Sequence, residues 1–574
     1  MEKAPPPRKF PIVTVIILLL FLSGFTLVNY LILAYTHYFY HDDHLLRSLG
    51  CFNSLKRLDF SQFFLVDQLY PPFMHQVSAL LFFMLPPTMI NVGLTQFPFW
   101  VVLAFSIYGI ARRLFSPLTG YLAVFYFFTS PLTLWWSYQY MLDIPAAGML
   151  TLSFYLLLKS ENFSNRLYAC LFGIALGLGL LTKWSVFFLL LPVLLYYLFS
   201  LYPAYLKDIW SRVLGLAVLG GLFYLFVKLA YGFPFACGWL TGWGEGLVLW
   251  LSVRGVFWLA QKWGRVEKPN FPPLSNFLDS LTITFLLCAW LYLNPRFSLL
   301  SGLLFETARM GDIPWPGLWY YPAYLLHDAL RMGYLPFLLI GISAFLLTCW
   351  KKPQQRLLLF TLAGAFFMLE IIPNKQESRY LLPWLALASP VAVFWIDYLK
   401  KLKILPIIYL LLIGLLYGFS IWSPMVWKYK ESPAPAFFLR GEPALTERTP
   451  GVWLDLQRLK EFLKPLPNKG EGVGVLNLTN EASLGGSSFI IIPSYLIGYR
   501  LDQVHSSALE DYQYLLSVVF YAEKPENLKK KIQQKKPEMK GVEKYSFLPL
   551  SRYPFPDAGF DLVLAKLVKE NNSR

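Results

Sequence analysis

Two adjacent carboxylates, Asp42 and Asp43, stand just beyond a long apolar segment near the start of the chain. Residues 12–35 carry no charge and are long enough to cross a bilayer as a helix. Carboxylates are costly close to a membrane, so their presence there indicates a function rather than chance. The position of Asp42 and Asp43 therefore makes this pair the first candidate for chemistry at the membrane surface.

Residues able to bind a metal ion lie near this aspartate pair. His41, His44 and His75 are close enough in sequence to form a divalent metal site with the two carboxylates. Histidines at an interface more often serve as anchors, so metal dependence stays open at this stage. The cysteines show no zinc-binding spacing. Cys51 and Cys237 can both face outward, which leaves a disulfide between them as an open alternative.

Further polar residues fall at the ends of apolar segments on the same predicted side. Lys183 ends one segment, where it offers a point charge for a phosphate or extends to lipid headgroups. Asp143 begins another segment, and helix N-capping is its alternative role. Lys375, Arg379 and Tyr380 lie between two later segments. Their two cations and one ring suit an anionic lipid head, with ordinary interfacial anchoring as the alternative.

The composition identifies the class of protein that must position these residues. Of 574 residues, 56% are hydrophobic and only 15% are charged, whereas soluble domains contain about 45–50% apolar residues. Aromatic residues make up 18% and cluster at the ends of apolar segments, as in membrane interfaces. The sequence predicts a polytopic α-helical membrane protein. Its net charge of +16 comes mostly from cations that flank these segments, which excludes nucleic acid as a partner.

Apolar windows predict about thirteen transmembrane helices. The predicted spans are 12–35, 94–111, 118–135, 144–158, 167–181, 184–199, 213–231, 247–263, 277–294, 334–350, 357–373, 380–397 and 404–422. The distribution of Lys and Arg predicts a cytoplasmic N-terminus. Residues 76–90, interrupted by Pro86-Pro87, are predicted to lie in the outer interface or to be partly re-entrant. Arg254 leaves open whether residues 247–263 fully span.

The chain is predicted to contain two domains. Residues 1–422 form the transmembrane domain, with a first outer loop at 36–93 and a flexible outer loop at 295–333. Residues 423–574 are polar and are predicted to form a soluble α/β domain on the outer face. Its predicted strands are 472–478, 489–492 and 561–564, and its predicted helices are 455–463 and 510–520.

Several short motifs occur in an order and spacing that resemble a known family. They are Tyr70-Pro71-Pro72, Ile110–Phe115, Ser130-Pro131, Leu142–Pro145, Leu181–Lys183 and Arg379–Pro383. Together they resemble the bacterial branch of the superfamily of protein O-mannosyltransferases and lipid A aminoarabinose transferases. The resemblance implies the C-type glycosyltransferase (GT-C) fold in a bacterial inner membrane. It also implies transfer of a sugar from a polyprenyl-phosphate donor at the outer face, with membrane lipids as surroundings.

The resemblance also implies roles for the candidate residues. Asp42 or Asp43 is the expected catalytic base, which removes a proton from the acceptor, and Asp143 is a further catalytic candidate. The expected ligands of the donor phosphate are Lys183, Lys375, Arg379 and Tyr380. Attack opposite the leaving phosphate inverts the anomeric centre. The acceptor is a hydroxyl or phosphate of a lipid, a glycan or a protein, and no cofactor is implied beyond the open question of a divalent metal.

Three other functions remain alternatives. A transporter or flippase of lipid-linked sugars requires charges along a membrane path, yet the predicted spans are almost bare of them apart from Arg254. The sequence also has no internal repeat of the kind common in transporters. A ligase that joins whole lipid-linked glycans is a closer alternative within the enzymes. A non-catalytic assembly scaffold is the third.

Overall fold

The computed structural model of this chain describes most of the helices and part of the C-terminal region. The described residues are 11–36, 43–65, 70–85, 89–137, 140–201, 251, 272–292, 322, 325, 331–349, 352–371, 378–398, 406–415, 462–466, 473–477, 502–503, 514–520, 528–535, 542–555 and 560–569. The chain divides into two compact units. The first comprises Met1–Asn29, Gly50–Leu81 and Leu94–Gly441, and the second comprises Tyr30–Leu49, Phe82–Gly93 and Glu442–Arg574.

The described residues before position 416 are almost entirely helical. In chain order the helices are α1 (Ile12–Thr36), α2 (Asp43–Lys56), α3 (Phe60–Leu65), α4 (Phe73–Leu81), α5 (Met89–Leu94), α6 (Phe97–Leu114), α7 (Pro117–Thr129), α8 (Pro131–Ser137), α9 (Asp143–Lys159), α10 (Arg166–Leu180), α11 (Ser185–Leu201), α12 (Pro272–Tyr292), α13 (Arg331–Thr348), α14 (Pro353–Ile371), α15 (Leu381–Tyr398) and α16 (Pro406–Leu415). A 3₁₀ turn, Ser378–Tyr380, leads directly into α15.

The helices agree with the predicted spans wherever the two can be compared. Each predicted span is mainly helical over its described part, with turns at Thr95-Gln96, Leu181 and Trp184. The span 118–135 is divided between α7 and α8. The span 213–231 and nearly all of 247–263 lie outside the described residues. Among the described residues, Ile12–Asn29 and Asn91–Leu114 are long and apolar enough to cross a membrane. Several other helices are also apolar, but their described apolar parts have only 10–17 residues. The helical character is confirmed, while the number of spans stays a prediction.

The segment around Pro86-Pro87 was predicted not to span, and its helices are short. Helix α4 has 9 residues, which corresponds to a length of about 14 Å at 1.5 Å per residue. A bilayer core is about 30 Å thick, so this helix cannot cross it. Residues 86–88 lie outside the described part of the chain.

Local capping residues determine where two of the central helices begin. The Ser116 hydroxyl accepts a 3.2 Å hydrogen bond from the Thr119 backbone N–H, and Pro117 occupies the first turn of α7. The Asn165 side chain accepts from the Tyr168 N–H at 3.3 Å and caps α10. Both caps satisfy N–H groups that have no partner within their helix. They explain why the two helices begin at these positions.

Helix α9 is the centre of the first unit. It packs against α6, α10 and α15, and most of its residues are buried. Gly148 makes the contact with α6 a close one, since a Cβ added there would lie 3.1 Å from the Phe99 carbonyl oxygen. At Gly173 in α10, an added Cβ would collide with the backbone of Ser280 in α12. Small residues at such crossings let membrane helices approach closely.

The corner between α9 and α10 has an unusual backbone. Glu161, Asn162 and Phe163 have φ angles of 51°, 58° and 63°, in the left-handed region that residues with a Cβ rarely adopt. Tyr197 donates a 3.1 Å hydrogen bond to the Asn162 side chain, and the Asn276 amide donates a 2.7 Å bond to the Phe163 carbonyl. These bonds from α11 and α12 hold the corner in its strained conformation.

The described residues after position 472 form a five-stranded sheet in the second unit. Its strands are β1 (Val473–Asn477), β2 (Asp502–Gln503), β3 (Tyr514–Phe520), β4 (Tyr545–Phe555) and β5 (Phe560–Lys569), in the order β2-β1-β3-β5-β4. Strand β1 is parallel to β2 and β3, whereas β5 is antiparallel to β3 and β4. A bulge interrupts the β4–β5 ladder between Pro549 and Ser551.

A helix covers part of this sheet. Helix α17 (Leu528–Lys535) buries Leu528 and Ile532, which join a hydrophobic core with Leu515 of β3 and Val563 of β5. Three consecutive lysines, Lys529 to Lys531, lie between these two apolar residues, and Lys530 is exposed. The helix is therefore amphipathic, with its apolar side in the core of the second unit.

Two of the predicted C-terminal strands are found, and one predicted helix is wrong. Residues 472–478 and 561–564 coincide with β1 and β5, whereas residues 514–520 form strand β3 instead of the helix predicted at 510–520. The prediction at 489–492 lies outside the described residues. Of 455–463 only the last two residues are described, and they are helical. The domain boundary at 422/423 stays a prediction.

Candidate active site

Asp143 is the first residue of α9 and is 2% exposed. Leu142 holds the N-cap position, so the alternative that Asp143 is an N-cap residue is wrong. As an acid in the first turn, Asp143 still interacts favourably with the helix dipole. Its two oxygens face two cations that come from distant parts of the chain.

Lys183 supplies the first of these cations. It lies between α10 and α11, where its backbone N–H donates a 2.8 Å hydrogen bond to the Gly179 carbonyl. Its Nζ donates a 2.6 Å hydrogen bond to Oδ1 of Asp143 and lies 4.4 Å from the centre of the Tyr380 ring. The Lys183 side chain is 12% exposed. Extension toward lipid headgroups, the alternative role considered for Lys183, therefore does not describe this conformation.

Arg379 supplies the second cation from the 3₁₀ turn before α15. Its Nε lies 3.9 Å from Oδ2 of Asp143, and its Nη1 lies 3.3 Å from the Met141 sulfur. The guanidinium carbon is 5.8 Å from the Trp136 ring centre and 5.6 Å from the Tyr380 ring centre. Arginine beside two aromatic faces gains cation–π attraction, which holds the planar group in position.

These contacts bring together four residues that the sequence suggested on one predicted face. Asp143, Lys183, Arg379 and Tyr380 form one cluster, here named the charged cluster. Its three charged groups sum to +1, and they lie in a largely buried environment where charges interact more strongly than in water. Lysine and arginine are the side chains that bind phosphate, one as a point charge and the other as a planar fork.

Three predicted site residues are not tested by this geometry. Asp42 and Lys375 lie outside the described residues, and Asp43 begins α2 but its side chain is not described. The predicted base and the third phosphate-binding cation therefore stay predictions.

Two of the three histidines considered as metal ligands lie among the described residues. His44 and His75 are buried, at 5% and 1% exposure. Within the described residues, no group of three or more His, Cys, Asp or Glu side chains is arranged to hold a metal ion. His41 lies outside these residues.

Cys51 is a free thiol in α2 and is fully buried. It lies 3.7 Å from the Phe63 carbonyl oxygen, to which it donates a weak hydrogen bond. Burial raises the pKa of the Cys51 thiol to about 12. Cys237, considered above as its disulfide partner, lies outside the described residues.

The sequence reasoning missed two residues that the structure places beside the charged cluster. Trp136 and Met141 both contact the Arg379 guanidinium. Both precede Asp143 closely in sequence, and that proximity was the one available signal. An aromatic or a methionine in an apolar segment resembles any other core residue, so their role was hidden.

One comparison with known proteins concerns the segment that carries Asp143 and Lys183 of this cluster. Residues 70–227 match the family described as dolichyl-phosphate-mannose-protein mannosyltransferase. The match covers less than half of the chain and shows a similarity of this segment to that family. The matched segment contains Trp136, Asp143 and Lys183, whereas Arg379 and Tyr380 lie beyond it. The predicted resemblance is thereby confirmed at the level of the superfamily, and no curated relative matches the chain.

The solved structures that match this chain include an archaeal oligosaccharyltransferase and a bacterial ArnT. The apo oligosaccharyltransferase of Archaeoglobus fulgidus has 15% identity and a TM-score of 0.46, over 97% of this chain and 75% of that chain. ArnT from Cupriavidus metallidurans in the apo state has 12% identity and a TM-score of 0.39, over 96% of this chain and 98% of that one. ArnT bound to undecaprenyl phosphate has 12% identity and a TM-score of 0.38, over 95% and 97%.

Proposed function

We propose that this chain transfers a sugar from a polyprenyl-phosphate donor to an acceptor at the outer face of the cell membrane. The observation that carries the proposal is the convergence of Lys183 and Arg379 on Asp143, within and beyond a segment that matches a mannosyltransferase family. That family is described by its dolichyl-phosphate-linked donor, a polyprenyl-type carrier of a single sugar. The cluster contains the cations that such a phosphate requires.

The proposed reaction forms one bond and breaks one bond. The acceptor oxygen attacks the anomeric carbon, while the bond from that carbon to the phosphate oxygen breaks. The electron pair of that bond leaves with the polyprenyl phosphate, whose negative charge increases as it departs. Lys183 and Arg379 would stabilise this developing charge, which is the kind of preorganised electrostatics that lowers barriers most. Attack from the face opposite the phosphate gives inversion.

A base must take the proton of a hydroxyl acceptor. Asp42 and Asp43 are the proposed candidates, because they lie in the first predicted outer loop and a positioned carboxylate is suited to this step. Asp143 has a different part in the proposal. Its Oδ1 already accepts a 2.6 Å hydrogen bond from Lys183, so it is suited to hold the two cations for the phosphate. Lys375, on the same predicted side, would add a third cation.

The decisive experiment separates transfer from transport. The purified full chain is mixed in detergent micelles with a radiolabelled polyprenyl-phosphate sugar and a total envelope lipid and glycan extract. An enzyme moves the label to a new product in micelles, whereas a flippase needs two compartments and gives no product there. Mass spectrometry of envelope glycoconjugates from cells with and without the gene then names the sugar and the acceptor.

Variants identify the residues that act. We expect Lys183→Met to abolish transfer. We also expect one of the two aspartate variants, Asp42→Asn or Asp43→Asn, to abolish it. Unchanged transfer in both aspartate variants would refute the proposed base, and unchanged transfer in Lys183→Met would refute the phosphate site. A product that carries a whole lipid-linked glycan would favour the ligase alternative.

A further inference from the structure

Helix α4 contacts both segments that supply the Asp143–Lys183 pair, although it contributes no charge to the pair. At its N-terminus, the Phe73 backbone N–H donates a 2.9 Å hydrogen bond to the Leu181 carbonyl, two residues before Lys183. Near its other end, Ser78 accepts a 2.5 Å hydrogen bond from the Tyr140 hydroxyl, three residues before Asp143. One short helix is therefore bonded to both segments.

The second of these bonds is deeply buried. Ser78, Tyr140 and Thr95 are each fully buried, and the Ser78 hydroxyl donates a 3.1 Å hydrogen bond to the Thr95 hydroxyl oxygen. Three hydroxyl groups are thus bonded in a row, from Tyr140 through Ser78 of α4 to Thr95, which lies two residues before α6. Hydrogen bonds between buried hydroxyl groups favour one arrangement, because a shift that breaks such a bond costs free energy.

A second hydroxyl bond holds the other end of the segment that leads to Asp143. Ser137, the last residue of α8, donates a 2.8 Å hydrogen bond to the Asn29 side chain of α1. Both groups are buried. Ser137 and Tyr140 are therefore each bonded to another helix, and Tyr140 is the nearer of the two to Asp143 in sequence.

The start of α4 is also determined by its sequence. Pro71 and Pro72 fix an extended backbone immediately before the helix, and both are buried. A proline cannot donate a backbone hydrogen bond, so Phe73 is the first residue after the pair whose N–H is available. That N–H is the one that reaches the Leu181 carbonyl.

We infer that Ser78 and Tyr140 are positioning residues, which act through α4 to hold Asp143 and Lys183 at their 2.6 Å separation. The effect on phosphate binding rests on the proposed function, since the separation matters only if the pair binds the donor phosphate. The bond between Ser78 and Tyr140 and its effect on local order do not depend on that function. Its two effects, on local order and on phosphate binding, are measured separately.

The test compares Tyr140→Phe with a matched control, Tyr126→Phe. Tyr126 is also fully buried and donates a 3.0 Å hydrogen bond, but to the Tyr334 carbonyl, where it joins α7 to α13. Each variant removes one hydroxyl from one buried ring and leaves the rest of the side chain. Neither residue belongs to the charged cluster. Ser78→Ala and the double variant Ser78→Ala/Tyr140→Phe complete a double-mutant cycle.

Hydrogen–deuterium exchange of the full chain in detergent micelles is the first measurement. We expect Tyr140→Phe to increase exchange in peptides that contain residues 141–147 and also in peptides that contain 179–186. Tyr126→Phe should leave both peptides unchanged. Exchange that rises only around Tyr140, with none at 179–186, would refute the role of α4 as a link between the two segments.

Affinity for undecaprenyl phosphate, without any sugar, is the second measurement. We expect Tyr140→Phe and Ser78→Ala each to raise the Kd by about two- to tenfold, the range that one buried hydrogen bond supports. The double variant should show no larger effect than Ser78→Ala alone, because that change already removes the bond with Tyr140. Tyr126→Phe should keep the wild-type Kd. A wild-type Kd in Tyr140→Phe, Ser78→Ala and the double variant would refute the positioning role. If the wild-type chain does not bind this lipid but the exchange result holds, the proposed function fails and the link through α4 stands.

Discussion

Neutralising Asp143 and Lys183, singly and together, tests whether this pair serves only the fold. Asp143 is 2% exposed and Lys183 is 12% exposed, with 2.6 Å between Oδ1 and Nζ. Removal of one partner from a buried ion pair costs about 3–5 kcal/mol, because the other charge stays buried without compensation. The partial exposure of Lys183 lowers this value for Asp143→Asn, so we expect a loss of about 2–4 kcal/mol in the free energy of unfolding.

The double variant Asp143→Asn/Lys183→Met separates stability from function. It leaves no uncompensated charge in the pair, so we expect its free energy of unfolding to return to within about 1–2 kcal/mol of wild type. Its affinity for undecaprenyl phosphate should nevertheless be lost, because Lys183 no longer offers a charge to the phosphate. Lys183→Met alone should lose both stability and affinity.

The measurements are unfolding in increasing SDS and lipid binding in micelles, both with the full chain. Glu161→Gln is a suitable control, since Glu161 forms a 3.2 Å ion pair with Arg113 but is 42% exposed. Exposed pairs contribute about 0–1 kcal/mol, so this variant should change little. If the double variant regains both stability and wild-type affinity, the pair is structural and the assignment of the phosphate site is refuted.

Three further predictions concern other parts of the chain. Arg379→Lys should keep the charge but lose the planar contacts with two aromatic rings, and we expect a rise of about tenfold in the Kd for undecaprenyl phosphate; an unchanged Kd would contradict the cation–π role. Cys51 should resist maleimide at pH 8 in the native chain and react once the chain is unfolded; rapid labelling of the native chain would contradict this. Burial of the protonated Cys51 thiol should contribute its full stabilisation below pH 9.0. That contribution should be lost between pH 9.0 and about 12, because the thiol of the unfolded chain ionises first. Asn276→Ala should lower the free energy of unfolding by about 1–3 kcal/mol, since it leaves the buried Phe163 carbonyl without the 2.7 Å bond, and SDS unfolding that matches wild type would show that the corner does not need it.

The helical part of the fold was predictable from the sequence because apolar segments of 15 or more residues permit few other structures in a membrane. Strand β3 was mistaken for a helix for the opposite reason. Its apolar core, Leu515 to Phe520, is short, and the periodicity of a short apolar segment does not separate a buried strand from a buried helix. Its two adjacent valines, Val518 and Val519, were the missed signal, because β-branched residues favour strands.

The charged cluster was predictable in its membership and not in its geometry. The distribution of basic residues assigned Asp143, Lys183 and Arg379 to one face, and the structure brings them together. No sequence pattern indicates which carboxylate oxygen faces which cation. The bond between Tyr140 and Ser78 was also beyond reach, since it joins residues 62 positions apart and depends on helix packing.

Strand β4 has a consequence for how this protein behaves when many copies crowd one membrane. It is an edge of the five-stranded sheet and is 11 residues long, and a long free edge is a template for adding strands from a neighbouring molecule. Pro549 and Pro554 lie within it and have no N–H to donate, and the bulge beside Pro549 bends it. The prolines and the bulge make this edge a poor substrate for intermolecular aggregation, a safeguard that matters most for chains confined to two dimensions.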